Sequence, residues 1–199
     1  MTPYEIVGAP LTLWLAPVGT AFPLIDVAPA VAWIKIGTNG NRNYSGEGVT
    51  VAHGRTFQKA RPAGAVGPVK AWLDEEELMF RLTLWDISLE QYQLALSNNA
   101  LTTVAAGAGT AGYKKIGLSH GAAVKEYALL ARGVSPYNEA LSAQYEVPRC
   151  YQSGSPEAVY RKAQPTGLAL EWTALEDLGA ASEAERFGRI TAQHQAPLP

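Results

Sequence analysis

An alternating stretch from residue 78 to residue 85 constrains the fold more than any other part of this sequence. Every second residue is large and apolar: Leu78, Phe80, Leu82 and Leu84. The residues between them are mixed in character: Met79, Arg81, Thr83 and Trp85. Successive side chains of a β-strand point to opposite faces, so the pattern predicts a strand that buries one face.

The residues that follow this strand predict a helix. Ser88 and Gln91 have the spacing of a capping box, in which a side chain at the helix start accepts a backbone hydrogen bond. Apolar residues then recur at helical spacing, and Asn98-Asn99 can end the segment. We therefore expect a strand followed by one α-helix at about 88–98.

Most other patterned segments indicate short strands. Alternation predicts strands at 6–16, 113–118, 143–149, 158–163 and 167–175, whereas 122–132 fits either a helix or a strand. The chain also has 19 glycines and 13 prolines, about one residue in six, which favours many turns. These features predict a mainly β fold, a β-sandwich or barrel-like domain with one flanking helix.

The chain divides into a β domain at 1–175 and a C-terminal arm at 176–199. The arm is polar and rich in alanine, with one short helix expected. Within the domain, 37–68 has the composition of one long loop. A weak hairpin is predicted inside it, with arms at 49–52 and 56–59 around His53-Gly54-Arg55.

The composition of the chain excludes several classes of protein. The net charge of −2 argues against a protein that grips nucleic acid, which needs a basic surface. Cys150 is the only cysteine, so no internal disulfide can form and a reducing compartment is expected. The first residues lack the features of a signal peptide, and no apolar run reaches the length of a membrane helix. We therefore expect a soluble product made in the cytoplasm.

Residues 117–121, GLSHG, match the G-x-S-x-G pattern of serine esterases. Ser119, Asp177 and His194 also follow the chain order of such a triad. The pattern requires a parallel sheet, a helix directly after the serine and an oxyanion loop. The sequence predicts neither the parallel sheet nor the oxyanion loop. His194 is the sixth residue from the C-terminal end, where a catalytic base is poorly held. The segment is better interpreted as a turn between strands, although the hydrolase remains an alternative.

The other residues that could bind a metal, a phosphate or a sugar give only weak sequence signals. The acidic run at 74–77 is contiguous, so its side chains would alternate between faces instead of converging on a metal. The three histidines lack the spacing of zinc ligands, and the glycines in 105–112 form no phosphate-binding motif. Tryptophans could stack on sugars, but Trp33 and Trp72 are more readily interpreted as contact residues beside the long loop. We expect no catalytic, metal or cofactor site, and no cofactor.

The order of short sequence pieces resembles the major tail tube proteins of long-tailed, non-contractile bacteriophages. The pieces are an opening strand with Ala-Pro around 9–16, then 33–37 (WIKIG), 47–51 (EGVTV), the acidic run into strand 78–85, 86–88 (DIS), 127–130 into 133–136 (GVSP), and 147–149 (VPR). The resemblance covers roughly 5–175. It implies six subunits in a ring, inner strands joined in one barrel around a lumen, and rings stacked into a tube that conducts DNA during ejection.

The resemblance also implies where contacts form. The long loop in this family reaches a neighbouring subunit or ring, so the candidate interface residues lie in or beside it: Trp33, Tyr44, Glu47, His53, Arg55, Phe57, Trp72, Glu75 and Glu76. Arg81 and Thr83 should face away from the core and are candidates for the lumen. The expected partners are other copies of the chain, the tape measure, the tail terminator and distal tail proteins. DNA would pass without specific binding, no membrane is involved, and the chain would be assembled in the host cytoplasm into the virion tail.

Three alternatives to the phage tail tube remain, two of them from other classes of protein. A tube subunit of a secretion or contractile system would have the same sequence features. A sugar-binding β-sandwich and the serine hydrolase described above are the other two readings that the sequence leaves open.

Overall fold

The computed structural model describes residues 10–97, 99–121, 123–135 and 139–193. Within these ranges the chain is mainly β with one α-helix, so the predicted fold class is confirmed. The strands are β1 (Thr12–Pro17), β2 (Ile34–Lys35), β3 (Tyr44–Ala60), β4 (Lys70–Leu84), β5 (Leu101–Val104), β6 (Tyr113–Ile116), β7 (Glu126–Val134), β8 (Ser142–Gln152), β9 (Ala158–Val159), β10 (Gly167–Ala174) and β11 (Arg189–Ala192). The helix is α1 (Leu89–Ala95).

Nine of these strands form one antiparallel sheet. Its main path runs β2-β1-β7-β8-β10-β4-β3, with β11 beside β8 and β9 beside β10. β5 and β6 form a separate hairpin. The segment 122–132, which fits either a helix or a strand in sequence, contributes to β7 because both faces of that strand are buried.

The core lies against one face of the large sheet. Leu13 of β1, Leu129 of β7, Leu170 of β10 and Phe80 of β4 belong to a single buried cluster, although β1 and β4 are far apart in the strand order. The sheet must therefore curl around this cluster. The sheet does not close, because β2 and β3 are the two ends of the strand order and do not pair with each other. Leu11 and the first half of β3 line a groove of about 500 Å³.

The predicted helix start is confirmed, with one difference. Ser88 Oγ accepts a hydrogen bond from the backbone N–H of Gln91 at 3.3 Å, as a capping residue should. The Gln91 side chain does not bond in turn to the backbone N–H of Ser88, as it would in a complete capping box. It accepts from the N–H of Gly37 at 2.9 Å and donates to the carbonyl of Lys35, and it thereby ties α1 to the end of β2.

A second, smaller layer covers the outer face of β1 and β7. Residues 18–33 cross this face, and Trp33 packs there on Leu130 with the Phe22 ring 5.2 Å away. Arg132 of β7 donates to the carbonyls of Leu24 and Val27, at 3.0 and 2.7 Å. These bonds anchor a proline-rich segment that makes no strand pairing of its own within the described residues.

Two predictions about chain segments were wrong. No turn forms at His53-Gly54-Arg55, because β3 runs through these residues without interruption and pairs with β4. Most of the predicted loop at 37–68 is therefore strand, and only 61–69 connects the two. The C-terminal arm also holds a strand that the sequence did not predict: β11 pairs with β8 from Arg189 to Ala192. Of the strand predicted at 6–16, residues 6–9 lie outside the described residues.

Candidate functional site

The main candidate site is the β3–β4 hairpin, called the ribbon below. Its strands pair from Tyr44 beside Leu84 to Ala60 beside Lys70. Only the half near the body is buried, because the core ends at Leu78 and every described residue from 70 to 75 is exposed. The ribbon therefore projects beyond the core as a two-stranded arm.

The two faces of the ribbon differ in chemistry. Paired residues of antiparallel strands point to the same side, and the side alternates along the strands. The inner face carries Val51 beside Phe80 and continues the core. The outer face carries polar and small residues, among them Thr50 beside Arg81 and Gly54 beside Glu77.

A bulge in β4 shifts the alternation of side chains between the two faces of the ribbon near its tip. β4 has one extra residue, Asp74, between the pairs Thr56–Glu75 and Phe57–Leu73, and Asp74 accepts a hydrogen bond from Gln58 Nε2 at 2.8 Å. Beyond the bulge, Phe57 and Leu73 share the inner face and are 48% and 51% exposed. Apolar side chains thus continue along this face where the subunit has no core to cover them.

The opposite face of the tip carries an aromatic side chain beside a cation. Trp72 pairs with Gln58 and is 49% exposed. Lys70 Nζ lies 5.3 Å from the centroid of the Trp72 ring. Exposed aromatic residues are enriched at the centres of protein interfaces. Both faces of the tip therefore carry large side chains suited to a contact.

The charges of the ribbon are mostly negative near the bulge. Arg55 NH2 and Glu76 Oε1 form an ion pair across the strands at 3.2 Å. Glu75 and Glu77 lie on the outer face, and neither forms an ion pair with any residue in the described ranges. This pair of carboxylates leaves an uncompensated negative charge on that face.

The outer edge of β3 is open. β3 is the last strand in the sheet order, and no other described strand pairs with its free edge along its 17 residues. Such an edge presents unpaired backbone N–H and C=O groups and readily pairs with another chain. The projecting arm and the open edge together define the candidate interface.

The predicted orientation of Arg81 and Thr83 is confirmed. Both lie on the outer face, opposite the buried Leu82 and Leu84. Arg81 forms an ion pair with Glu171 of β10. Both residues also line a groove of about 350 Å³ on this face. Whether this face lines a lumen remains a prediction.

Trp33 and Tyr44 are not available as contact residues, which corrects their prediction. Trp33 is 6% exposed, and its Nε1 donates to the Ala21 carbonyl at 3.2 Å. Tyr44 is 5% exposed; its hydroxyl accepts from the N–H of Leu13 at 3.1 Å and donates to the carbonyl of Ile36 at 2.8 Å. Burial raises the pKa of this hydroxyl far above its usual value. Both side chains hold the subunit itself together.

The other predicted contact residues are all brought together on the ribbon. Except for the half-buried Glu76 they are exposed: Glu47, His53, Arg55, Phe57, Trp72 and Glu75. The sequence analysis did not single out Leu73, although it lies between Trp72 and the acidic run. An exposed apolar residue beside four acids was a usable signal, but its pairing with Phe57 depends on the bulge.

The esterase pattern does not have the required surroundings. Ser119 is exposed on the connection between β6 and β7, and the described residues after it are coil followed by a strand. Its Oγ accepts from the N–H of Gly121 at 3.3 Å, while Asn99 Nδ2 donates to the Ser119 carbonyl at 2.6 Å. Asp177 Oδ1 accepts from the N–H of Gly179 at 3.0 Å. His194 lies outside the described residues.

The described residues hold neither a metal-binding cluster nor a membrane-spanning helix. No group of three or more histidine, cysteine or carboxylate side chains is placed to hold a metal ion there. None of the described helices is long and apolar enough to cross a membrane.

No family model matches the chain, and no curated protein matches its sequence significantly.

Proposed function

We propose that this chain is a structural subunit that assembles with copies of itself into a hollow tube, the tail tube of a long-tailed bacteriophage. The tube would consist of stacked, hexameric rings around a lumen that conducts DNA during ejection. The hexamer and the phage tail come from the resemblance in sequence order. What supports self-assembly is the shape and chemistry of the ribbon.

The observation that carries the proposal is the exposed tip of the ribbon. Phe57, Leu73 and Trp72 are each about half exposed on an arm that extends past the core. Large apolar side chains on a projecting arm gain free energy when a partner covers them, about 25 cal/mol per Å² of apolar surface. A monomer gains nothing from such an arm, whereas an assembling subunit can use it to reach a neighbour.

The open edge of β3 supports closure into a ring. Pairing this edge with a strand of the next subunit would satisfy its backbone groups and remove a site of uncontrolled aggregation. Closing a sheet across several subunits also places one face of the sheet toward a common axis. A ring built in this way has no free edge.

The outer face of β3, β4 and β10 suits a lumen through which DNA moves. Arg81 is already paired with Glu171, and Thr50 and Thr83 are uncharged. A lumen that lacks free cations makes few phosphate contacts, so DNA would not be retained. The proposal therefore includes DNA as cargo and no specific DNA binding.

The other proposed partners follow from the place of a tube in a tail. The tape measure would occupy the lumen during assembly, and the tail terminator and distal tail proteins would contact the two ends. The proposed location is the virion tail, after assembly in the host cytoplasm.

The proposal is tested by removing the apolar side chains of the tip. The double variant Phe57→Ser and Leu73→Ser should fold as the parent does, because both side chains lie outside the core. We expect the protein concentration at half-assembly, measured by analytical ultracentrifugation, to rise at least about tenfold, since each 1.4 kcal/mol is a factor of ten.

Val31→Ser is the matched control, since Val31 is fully exposed in another segment. It should assemble as the parent does. Unchanged assembly of the ribbon double variant would refute the role given to the tip.

A further inference from the structure

The small hairpin β5–β6 is the second exposed element of the subunit, and its chemistry is opposite to that of the ribbon. Residues 99–121 contain Lys114 and Lys115 and no acidic residue. Lys114 pairs with Glu90 of α1 and so faces the helix. In the register of the hairpin, Lys115 points to the other side.

The solvent side of this hairpin combines a cation with apolar surface. Thr102 pairs with Lys115, and Val104 pairs with Tyr113, so the four side chains share one face. All four are exposed, and no described element of the subunit covers them. We call this the basic face.

The outer side of the ribbon tip has the complementary character. Trp72, Glu75 and Glu77 share that side through their pairing with Gln58, Thr56 and Gly54. An exposed aromatic ring lies there, with Lys70 Nζ 5.3 Å from its centroid, beside two carboxylates that have no ion-pair partner in the described ranges, so the side is negative overall. We call this the acidic face.

The two faces lie at opposite ends of β4. The acidic face precedes the buried part of the strand, whereas α1 and the β5–β6 hairpin follow Leu84. At about 3.3 Å per residue, the seven steps along the chain from Glu77, the member of the acidic face nearest to the core, to Leu84 span about 23 Å. The two faces of one subunit are therefore too far apart to meet, but the acidic face of one copy can meet the basic face of another.

We propose that the acidic face of one subunit docks on the basic face of a subunit in the next ring, with Lys115 between Glu75 and Glu77 and with Trp72 on Tyr113 and Val104. The partner is a second copy of this chain, because charge and apolar surface are complementary between the two ends. A head-to-tail contact of this type does not close on itself and generates a filament. The inference rests on the proposed function and names its stacking contact.

A charge exchange tests the proposal. Variant A carries Lys115→Glu, and variant B carries Glu75→Lys and Glu77→Lys. Each places like charges opposite one another, so each alone should raise the concentration at half-assembly of stacks at least about tenfold, measured by analytical ultracentrifugation with electron micrographs of the particles. Single rings should still form.

Mixing the variants restores complementary pairs. In an equimolar mixture, the acidic face of A meets the unchanged basic face of B, and the basic tip of B meets the new glutamate of A. Stacking should return to within about threefold of the wild-type concentration. A chain with all three substitutions should also stack. Lys162→Glu, an exposed change of the same charge elsewhere, should have no effect.

Each other outcome overturns the inference in a recognisable way. If A and B stack as the wild type does, the two faces are not in contact, although the tube proposal stands. If each is impaired but the mixture stays unstacked, the faces matter but do not meet each other. If the wild type forms neither rings nor stacks, the proposed function fails together with the inference.

Discussion

Tyr44 and Tyr127 are both buried, but only Tyr44 has hydrogen-bond partners for its hydroxyl. Tyr44 bridges the N–H of Leu13 and the carbonyl of Ile36, and so connects β3 to β1 and to the residue that follows β2, across the unclosed side of the sheet. The Tyr127 hydroxyl has no partner within the described residues. A buried polar group without a partner carries its full cost of desolvation.

The matched replacements Tyr44→Phe and Tyr127→Phe should therefore act in opposite directions. We expect Tyr44→Phe to lower the free energy of unfolding by about 1–3 kcal/mol, because it leaves two backbone groups without a partner. Tyr127→Phe should raise it by about 1 kcal/mol. Urea unfolding of both variants at pH 7 measures the two values. A loss of stability in both would show that the Tyr127 hydroxyl does have a partner.

Tyr127 should also make stability depend on pH in alkaline solution. Burial, and then the neighbouring Cys150, raise the pKa of Tyr127 to about 12. In the unfolded chain the hydroxyl ionises near pH 10, whereas in the folded chain it is still protonated there. Raising the pH above 10 therefore stabilises the unfolded state relative to the folded state. The contribution of this group is complete below pH 10 and should fall by about 2–3 kcal/mol between pH 10 and 12.

The Tyr127→Phe variant isolates this contribution. Its stability curve should decline less than that of the wild type across the same two pH units. Parallel curves would contradict the assignment.

At the scale of elements, β11 shows how a contact can depend on one glycine. Gly188 has φ +116°, and a Cβ placed there would lie 2.2 Å from the carbonyl oxygen of Glu146. Next to it, Arg189 Nε donates to the buried Glu146 at 2.8 Å. The close approach of Gly188 and this ion pair fix β11 on the edge of β8.

Gly188→Ala should therefore displace β11 and destabilise the protein by about 2–4 kcal/mol, from backbone strain and the steric clash together. Gly179→Ala is the matched control in the same segment, since a Cβ there meets only Asp177 Oδ1 at 3.4 Å. It should cost less than about 1 kcal/mol. Thermal unfolding followed by circular dichroism measures both, and equal effects would show that Gly188 is not what holds β11.

Sequence patterns predict elements well here when one side of an element is buried. The alternation of 78–85 and the Ser88 cap were informative because each depends only on residues nearby. β11 was missed because it is short and mostly exposed, and it exists through pairing with β8. The arms predicted at 49–52 and 56–59 are both strand, but their continuity in β3 was missed, because these exposed residues show no alternation of polarity and pair with β4 instead of with each other.

The candidate site was predictable in part at the same scale. Phe57, Trp72 and the acidic run could be recognised as apolar or charged residues around a Gly-rich segment. Their arrangement on two faces could not, because it depends on the one-residue bulge at Asp74. Trp33 and Tyr44 were misassigned because an aromatic residue beside a loop has the same sequence signal whether it faces a partner or its own core.

At the scale of the whole molecule, the subunit combines features that a monomer does not need. It has an open strand edge, an arm that extends beyond its core, and two exposed faces of opposite charge at the two ends of β4. The edge suits pairing around a ring, and the two faces suit stacking along an axis. A repeating tube uses all of these features.

Electron microscopy of the purified wild-type protein at high concentration tests self-assembly into a tube most directly. We expect rings of uniform diameter at low concentration and hollow tubes with a regular axial repeat at higher concentration. Tubes should shorten as salt is raised, because charged contacts at their surface are screened. A protein that stays monomeric at high concentration in both low and high salt would contradict self-assembly into a tube.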